Sequence, residues 1–260
     1  NLFRDYYAVT DMSNDSVNDL SMLPPFFTHY FLAFTTYGMA MIADSTPSYR
    51  TGYYEQIFQK LIAMMNSSAM EQHEWIDPGF TNSSYAALGN GFRGPTNIMW
   101  TGHYTLMELF YYSLYRDSRY NAEITSYLDQ WNSSLTSAAT WQGNASNGLG
   151  RWGTGLIPCE PYIVFVQCNS IPFYTMRLYD HIHGTDYQLA SLPGIDWWQA
   201  NMMDARGIPI DGYYVAAPAG NRSDQGNPNQ TYPGPQLTRG LEAPKVSAYG
   251  SAWATMFYNA

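Results

Sequence analysis

Between Leu23 and Ala43 the chain reads LPPFFTHYFLAFTTYGMAMIA, with no Asp, Glu, Lys or Arg. A run of this length and polarity has two structural solutions. It is a membrane span, or it is a helix packed inside an α-helical protein. His29, the Thr35-Thr36 pair, Tyr37 and Gly38 are poorly suited to hydrocarbon and favour the second. No membrane span is therefore expected, and the run is read as an inner helix.

The rest of the chain repeats that theme with variation. A helix is expected over 49–65, opened by Thr46-Pro47-Ser48 and closed by Asn66-Ser67-Ser68. A mostly apolar helix over 97–115 is followed by a more polar one over 119–138. Further helices are expected from Pro172 to Ile182, with His183-Gly184 as the stop, over 192–205 and from Ser247 onward. A short strand is expected over 212–215, and the Pro/Gly/Asn-rich stretch 216–242 reads as a long surface loop. Apolar and polar helices thus alternate. The rhythm predicts an all-α fold, an α/α toroid of inner and outer helices, with more helices needed to close the ring than this chain supplies. Residues 1–22 read as an N-terminal entry segment and 23–260 as the helical domain.

Charged residues make up only 13% of the chain and the net charge is −9, with lysine at positions 60 and 245 alone. Nucleic acid is excluded as a partner on that balance. Surface polarity must come from elsewhere. Asn14, Asn66, Asn82, Asn132, Asn144, Asn221 and Asn229 all begin Asn-x-Ser/Thr. Together they predict N-linked glycans and a secreted or secretory-pathway protein, with a processed or missing N-terminus.

Both cysteines fall in one segment, GLIPCEPYIVFVQCNSIP, from Gly155 to Pro172. Cys159 precedes Glu160; Cys168 precedes Asn169-Ser170. With Pro172 opening a helix, Cys168 is placed just ahead of the helix N-terminus, where amide groups and the dipole favour a thiolate. The spacing of nine leaves two alternatives open, a disulfide or two free cysteines, the latter either buried small apolar side chains or functional thiols. His181 and His183, two apart, do not share a helical face, and no metal site is expected there.

These segments resemble the linalool dehydratase/isomerase family. The similarity runs through Cys159-Glu160-Pro161 with Phe165-Val166-Gln167-Cys168-Asn169-Ser170, then Asn97-Ile98-Met99 with Gly102-His103. It continues in Tyr179-Asp180 with His183-Gly184-Thr185-Asp186-Tyr187. Weaker similarity lies in the AF-x-x-YG pattern from Ala33 to Gly38 and in SAY-x-x-AW from Ser247 to Trp253. The resemblance implies an (α/α)6 barrel with an apolar pocket, its C-terminal part lacking here. It implies isomerisation of geraniol and linalool, and dehydration of linalool, without metal or organic cofactor. It also implies a homo-oligomer. Carried over by motif, the acid/base groups are Cys159, Cys168, His103 and Tyr30, with Glu160 beside the first cysteine and Asp5 in FRDY as the aspartate. The chain departs from the family after Cys159-Glu160-Pro161, where Tyr162-Ile163-Val164 replaces a polar run.

Dehydrating an allylic alcohol needs a proton donor for the hydroxyl, a base for a neighbouring C–H, and a dry surround that tolerates positive charge. Cys168 is expected as base and Cys159 as donor, with His103 and Tyr30 orienting a small apolar alcohol. Trp75, Trp100, Phe165 and Tyr214 are the candidate substrate-facing aromatics. Two other classes remain. One is a secreted, glycan-coated structural or assembly protein that keeps the fold without catalysis, which a Cys159–Cys168 disulfide would favour. The other is a carbohydrate-active toroid enzyme, for which the sequence shows no paired carboxylates.

Overall fold

The computed structural model describes residues 28–76, 91–94, 97–138, 148–159, 163–203, 207, 213–214 and 238–239. The described chain is predominantly helical. In order come α1 (Thr28–Ser45), a 3₁₀ turn (Pro47–Tyr49), α2 (Gly52–Met65), α3 (Ser68–Glu71) and a π-helical turn (Gln72–Ile76). Then follow α4 (Ile98–Tyr115), a 3₁₀ turn (Ser118–Tyr120), α5 (Asn121–Thr136), β1 (Ile163–Val164) and α6 (Val166–His183). A 3₁₀ turn (Tyr187–Ser191), α7 (Leu192–Asn201), β2 (Tyr213–Tyr214) and β3 (Thr238–Arg239) complete the order. The strands form one small antiparallel sheet, β1-β2-β3, with Ile163 opposite Tyr214 and Tyr213 opposite Arg239. β2 falls where a strand was expected, whereas β3 lies in the stretch read as loop. Among the described residues no helix is long and apolar enough to cross a membrane.

The chain divides into two compact units, residues 1–85 with 103–126, and residues 86–102 with 127–260. In the first unit α1 buries Thr28, His29, Leu32, Ala33, Thr36, Tyr37, Ala40 and Ala43. That spacing is one helical face. Its other face leaves Phe31, Phe34, Met41 and Ile42 exposed. The inner-helix expectation therefore holds on one side only: a run apolar all round does not reveal which side is packed. Arg50 closes the helix end, donating from Nε to the Ala43 carbonyl at 2.9 Å and from Nη2 to Asp44 Oδ1 at 3.0 Å. α2 contributes Phe58, Leu61, Ile62, Met64 and Met65 to the core. Each such side chain stabilises by roughly 1.5–3 kcal/mol on burial.

In the second unit, polar side chains fix the loops. Asn169, in the first turn of α6, accepts from Ile157 N–H at 2.8 Å and donates from Nδ2 to the Ile157 carbonyl at 2.9 Å. The amides of Ile98 and Met99, which no helical carbonyl can reach, donate to the carbonyls of Pro158 and Cys159 at 3.4 and 3.2 Å. At the far end of α6, Gly184 adopts φ +70° and donates to the Asp180 carbonyl at 2.7 Å. The Asp180 carboxylate then gathers Thr185 Oγ1 and the amides of Tyr187 and Gln188.

Helix α6 begins at Val166, not at Pro172, which lies inside it. Cys168 is therefore within the first turn rather than ahead of it. Pro172 has no N–H for the Cys168 carbonyl, but a single missing bond one turn in does not break a helix whose N-terminal face is buried.

The tightest backbone approach joins Gly155 to α7. Gly155 has φ +66°, and a Cβ on it would lie 2.6 Å from Gly194 Cα. A Cβ on Gly194 would overlap the Gly155 carbonyl. Gly194→Ala is expected to cost about 1–3 kcal/mol in a denaturant titration. Gly52→Ala, which meets open space at the start of α2, should be neutral or mildly stabilising.

Candidate active site

α4 is buried from Ile98 to Leu109. Polar residues on such a helix must find partners within the protein. His103, fully buried, does so with Tyr37 of α1: Tyr37 Oη and His103 Nδ1 are 2.7 Å apart, with the rings stacked. Burial pushes the Tyr37 phenol well above its usual range. Burial, and then the charge of His29, hold the His103 imidazole well below its own. At neutral pH the pair is a protonated phenol and a neutral imidazole.

A second pair lies beside it. The π-helical turn carries Glu74, whose Oε1 accepts from the Thr28 amide at 2.8 Å and whose Oε2 pairs with His29 Nδ1 at 3.0 Å. The carboxylate thus occupies the N-terminus of α1, where the helix dipole favours it. Burial raises its proton affinity, but the hydrogen bond and charge of His29 and the two amides outweigh that, and Glu74 sits below its usual range. A π-type turn at this position fits the tendency of such irregularities to occur at functional sites.

Aromatic rings surround the two imidazoles. Tyr30 lies 3.9 Å from His29 and 5.2 Å from His103, centroid to centroid. Phe34 contacts Tyr37 and His103 edge-on, both at 5.7 Å. Phe34 is 37% exposed while His103 is wholly covered. Phe34 and Tyr30 both pack against the imidazole, and Phe34 also reaches the surface.

In the second unit Cys159 and Cys168 form a disulfide, with Cα atoms 5.9 Å apart. Of the two alternatives left open by the spacing, this is the one present. Bonded sulfurs carry neither an S–H proton nor a thiolate, so acid/base work by these residues requires the reduced protein. Both are buried.

His103, Tyr30 and Trp75 belong to the first unit; Cys159, Cys168, Phe165 and Trp100 belong to the second. Trp75 is buried in the π-helical turn. Trp100 packs on Phe92 at 4.6 Å under the Arg93 guanidinium, as core. Phe165 is half-buried at the N-cap of α6. Tyr214 is described only as backbone of β2. Asp5, Glu160, Asn14, Asn82, Asn144, Asn221 and Asn229 lie outside the described residues. Asn66 ends α2, and its Nδ2 donates to Tyr104 Oη at 3.0 Å. Asn132 lies in α5. His183 stacks on Tyr179 at 4.2 Å. Sequence reasoning missed Tyr37, His29 and Glu74. Tyr37 stands in the AF-x-x-YG pattern, the one signal that pointed to it.

Beyond His103, α4 buries Glu108 completely, with Tyr104 and Glu123 as its polar neighbours among the described residues. Burial, and then the charge of Glu123, push its carboxyl up to about 10. Tyr104 Oη donates to Glu123 Oε2 at 3.2 Å on the same side.

A model of the family described as linalool dehydratase/isomerase matches residues 29–221 of this chain. The matched span takes in His29, Tyr37, Glu74, His103 and both cysteines.

Glu108 provides a test through pH. Its folded-state proton affinity lies above the unfolded value, so its contribution is full below about pH 4.5 and declines as pH rises toward about 10. Across that window this one group makes stability fall by about 1.4 kcal/mol per pH unit. Glu108→Gln should flatten the decline and stabilise the protein at pH 8, read from urea unfolding at several pH values. An unchanged slope would mean that Glu108 is ionised in the fold.

Proposed function

The chain belongs to the linalool dehydratase/isomerase family, and on that footing we propose that it is a lyase/isomerase acting by acid/base chemistry on an allylic, terpenoid-type alcohol. The observation that carries this reading is the buried pair of neutral His103 and protonated Tyr37 against the rings of Tyr30 and Phe34. Dehydration proceeds by protonating the hydroxyl. The C–O bond breaks, water leaves, and an allylic cation remains. A base then takes a proton from a carbon next to the cation, giving the new C=C. In isomerisation, water instead returns to the other end of the allylic system. A neutral imidazole suits the base. Its phenol partner fixes the ring orientation. Aromatic faces stabilise the cation by about 0.5–2 kcal/mol each where water is excluded. Cys159 and Cys168 join this chemistry only as thiols, after reduction. An (α/α)6 barrel completed by further helices, and assembly into a homo-oligomer, are part of the same reading.

The closed Cys159–Cys168 bond supports a second reading, a secreted, glycan-coated assembly protein that has kept the fold and lost turnover. The two separate in one assay. The protein, before and after thiol reduction, is incubated with linalool and with geraniol, and the volatile products are followed by gas chromatography. Turnover that appears or rises on reduction is expected. His103→Gln should lower kcat by at least about 100-fold with the helical CD spectrum unchanged. An inert reduced protein, or full activity in His103→Gln, would overturn the enzymatic reading.

A further inference from the structure

His29 is 1% exposed and Glu74 2%, yet their bond uses only one imidazole nitrogen. The other, Nε2, is buried and has no hydrogen-bond partner among the described residues. A buried ring nitrogen left unpaired is costly and calls for an explanation. Its setting supplies one. The His29 ring meets the His103 ring edge-on at 6.1 Å, and Tyr30 touches both. Two imidazoles with different backing thus share one small aromatic neighbourhood within the first unit. His103 is backed by a neutral phenol and His29 by a carboxylate. A carboxylate accepting from Nδ1–H holds the ring in place and favours the imidazolium form, and it is in that form that the opposite nitrogen presents an N–H.

We propose that His29 is a catalytic residue that donates its Nε2 proton to the departing hydroxyl, with Glu74 as the positioning residue behind it. This rests on the allylic-alcohol reading above. The C–O bond breaks with its electron pair on oxygen, which takes the His29 proton and leaves as water. The resulting allylic cation gives up a carbon-bound proton to neutral His103. One proton passing from His103 back to His29 resets the pair, so no oxidant, reductant or net proton is consumed. Separating the proton affinities of two neighbouring groups is the general route to an acid and a base in one site.

Among the described residues, the ionisable groups facing His29 are Glu74 from the π-helical turn, His103 from α4 and Tyr30 from α1 itself. A carboxylate beside an imidazolium favours its charged form, and that interaction is what the substitution of Glu74 removes. The test is steady-state kinetics of the reduced protein on linalool and geraniol between about pH 5 and 9 for wild type, Glu74→Gln and His29→Asn. Glu74→Gln preserves the shape of the side chain. It is expected to keep KM and the helical CD spectrum at the assay temperature, lose kcat, and shift the basic limb of the kcat profile toward acid. His29→Asn is expected to lose kcat by at least about 100-fold on the alcohols. The deficit should shrink on geranyl chloride, whose leaving group needs no proton, once uncatalysed solvolysis is subtracted. A structural role would not distinguish the two leaving groups.

If wild type is active and His29→Asn matches it, or if folded Glu74→Gln shows an unmoved profile, the assignment is overturned while the enzymatic reading stands. Should reduced wild type turn over no allylic alcohol, that reading fails and this assignment falls with it.

Discussion

The bond between Tyr37 and His103 is the interaction on which the chemistry proposed for the first unit depends. An imidazole and a phenol taken wholly out of water must satisfy each other. The same burial sets their protonation: charge is expensive there, so the phenol keeps its proton and the imidazole stays neutral. A stabilising hydrogen bond and a usable base are thus products of one arrangement. The neighbouring Glu74–His29 pair solves the same burial problem with a carboxylate in place of the phenol, and Glu74 adds the amide of Thr28 to its partners.

Polar side chains do comparable work in the second unit. Asn169 binds both backbone groups of Ile157, and Asp180 gathers a hydroxyl and two amides after α6. Both residues stand in motifs that carry the family resemblance. In the structure their hydrogen bonds are structural: they hold the segment bearing Cys159 and the turn beyond His183. The disulfide acts on the same segment and adds a covalent constraint to the clamp that Asn169 supplies.

Much of the helical architecture was legible in the sequence, because its signals are local. The apolar run of α1, the Pro and Asn boundaries of α2 and the glycine stop after His183 all mark elements where they occur. The start of α6 was misplaced, since Pro172 resembles a first-turn proline and only the packing of Val166 to Ile171 shows the helix already under way. His103 was found through the residues around it. His29 and Glu74 were not, because they are 45 residues apart and nothing in either local sequence announces the other. Tyr37 reads as one aromatic among many until the fold sets it against the imidazole. Likewise the cysteine spacing allowed thiols or a bond, a choice that depends on how the chain doubles back between them.

Histidine side-chain NMR is the most direct measurement. With the imidazole nitrogens labelled and followed from about pH 8 to 5, His103 should remain neutral throughout while the protein stays folded. A His103 resonance that titrates with a midpoint in the ordinary histidine range, about 6.5, would contradict the picture of a buried base held uncharged by its surroundings.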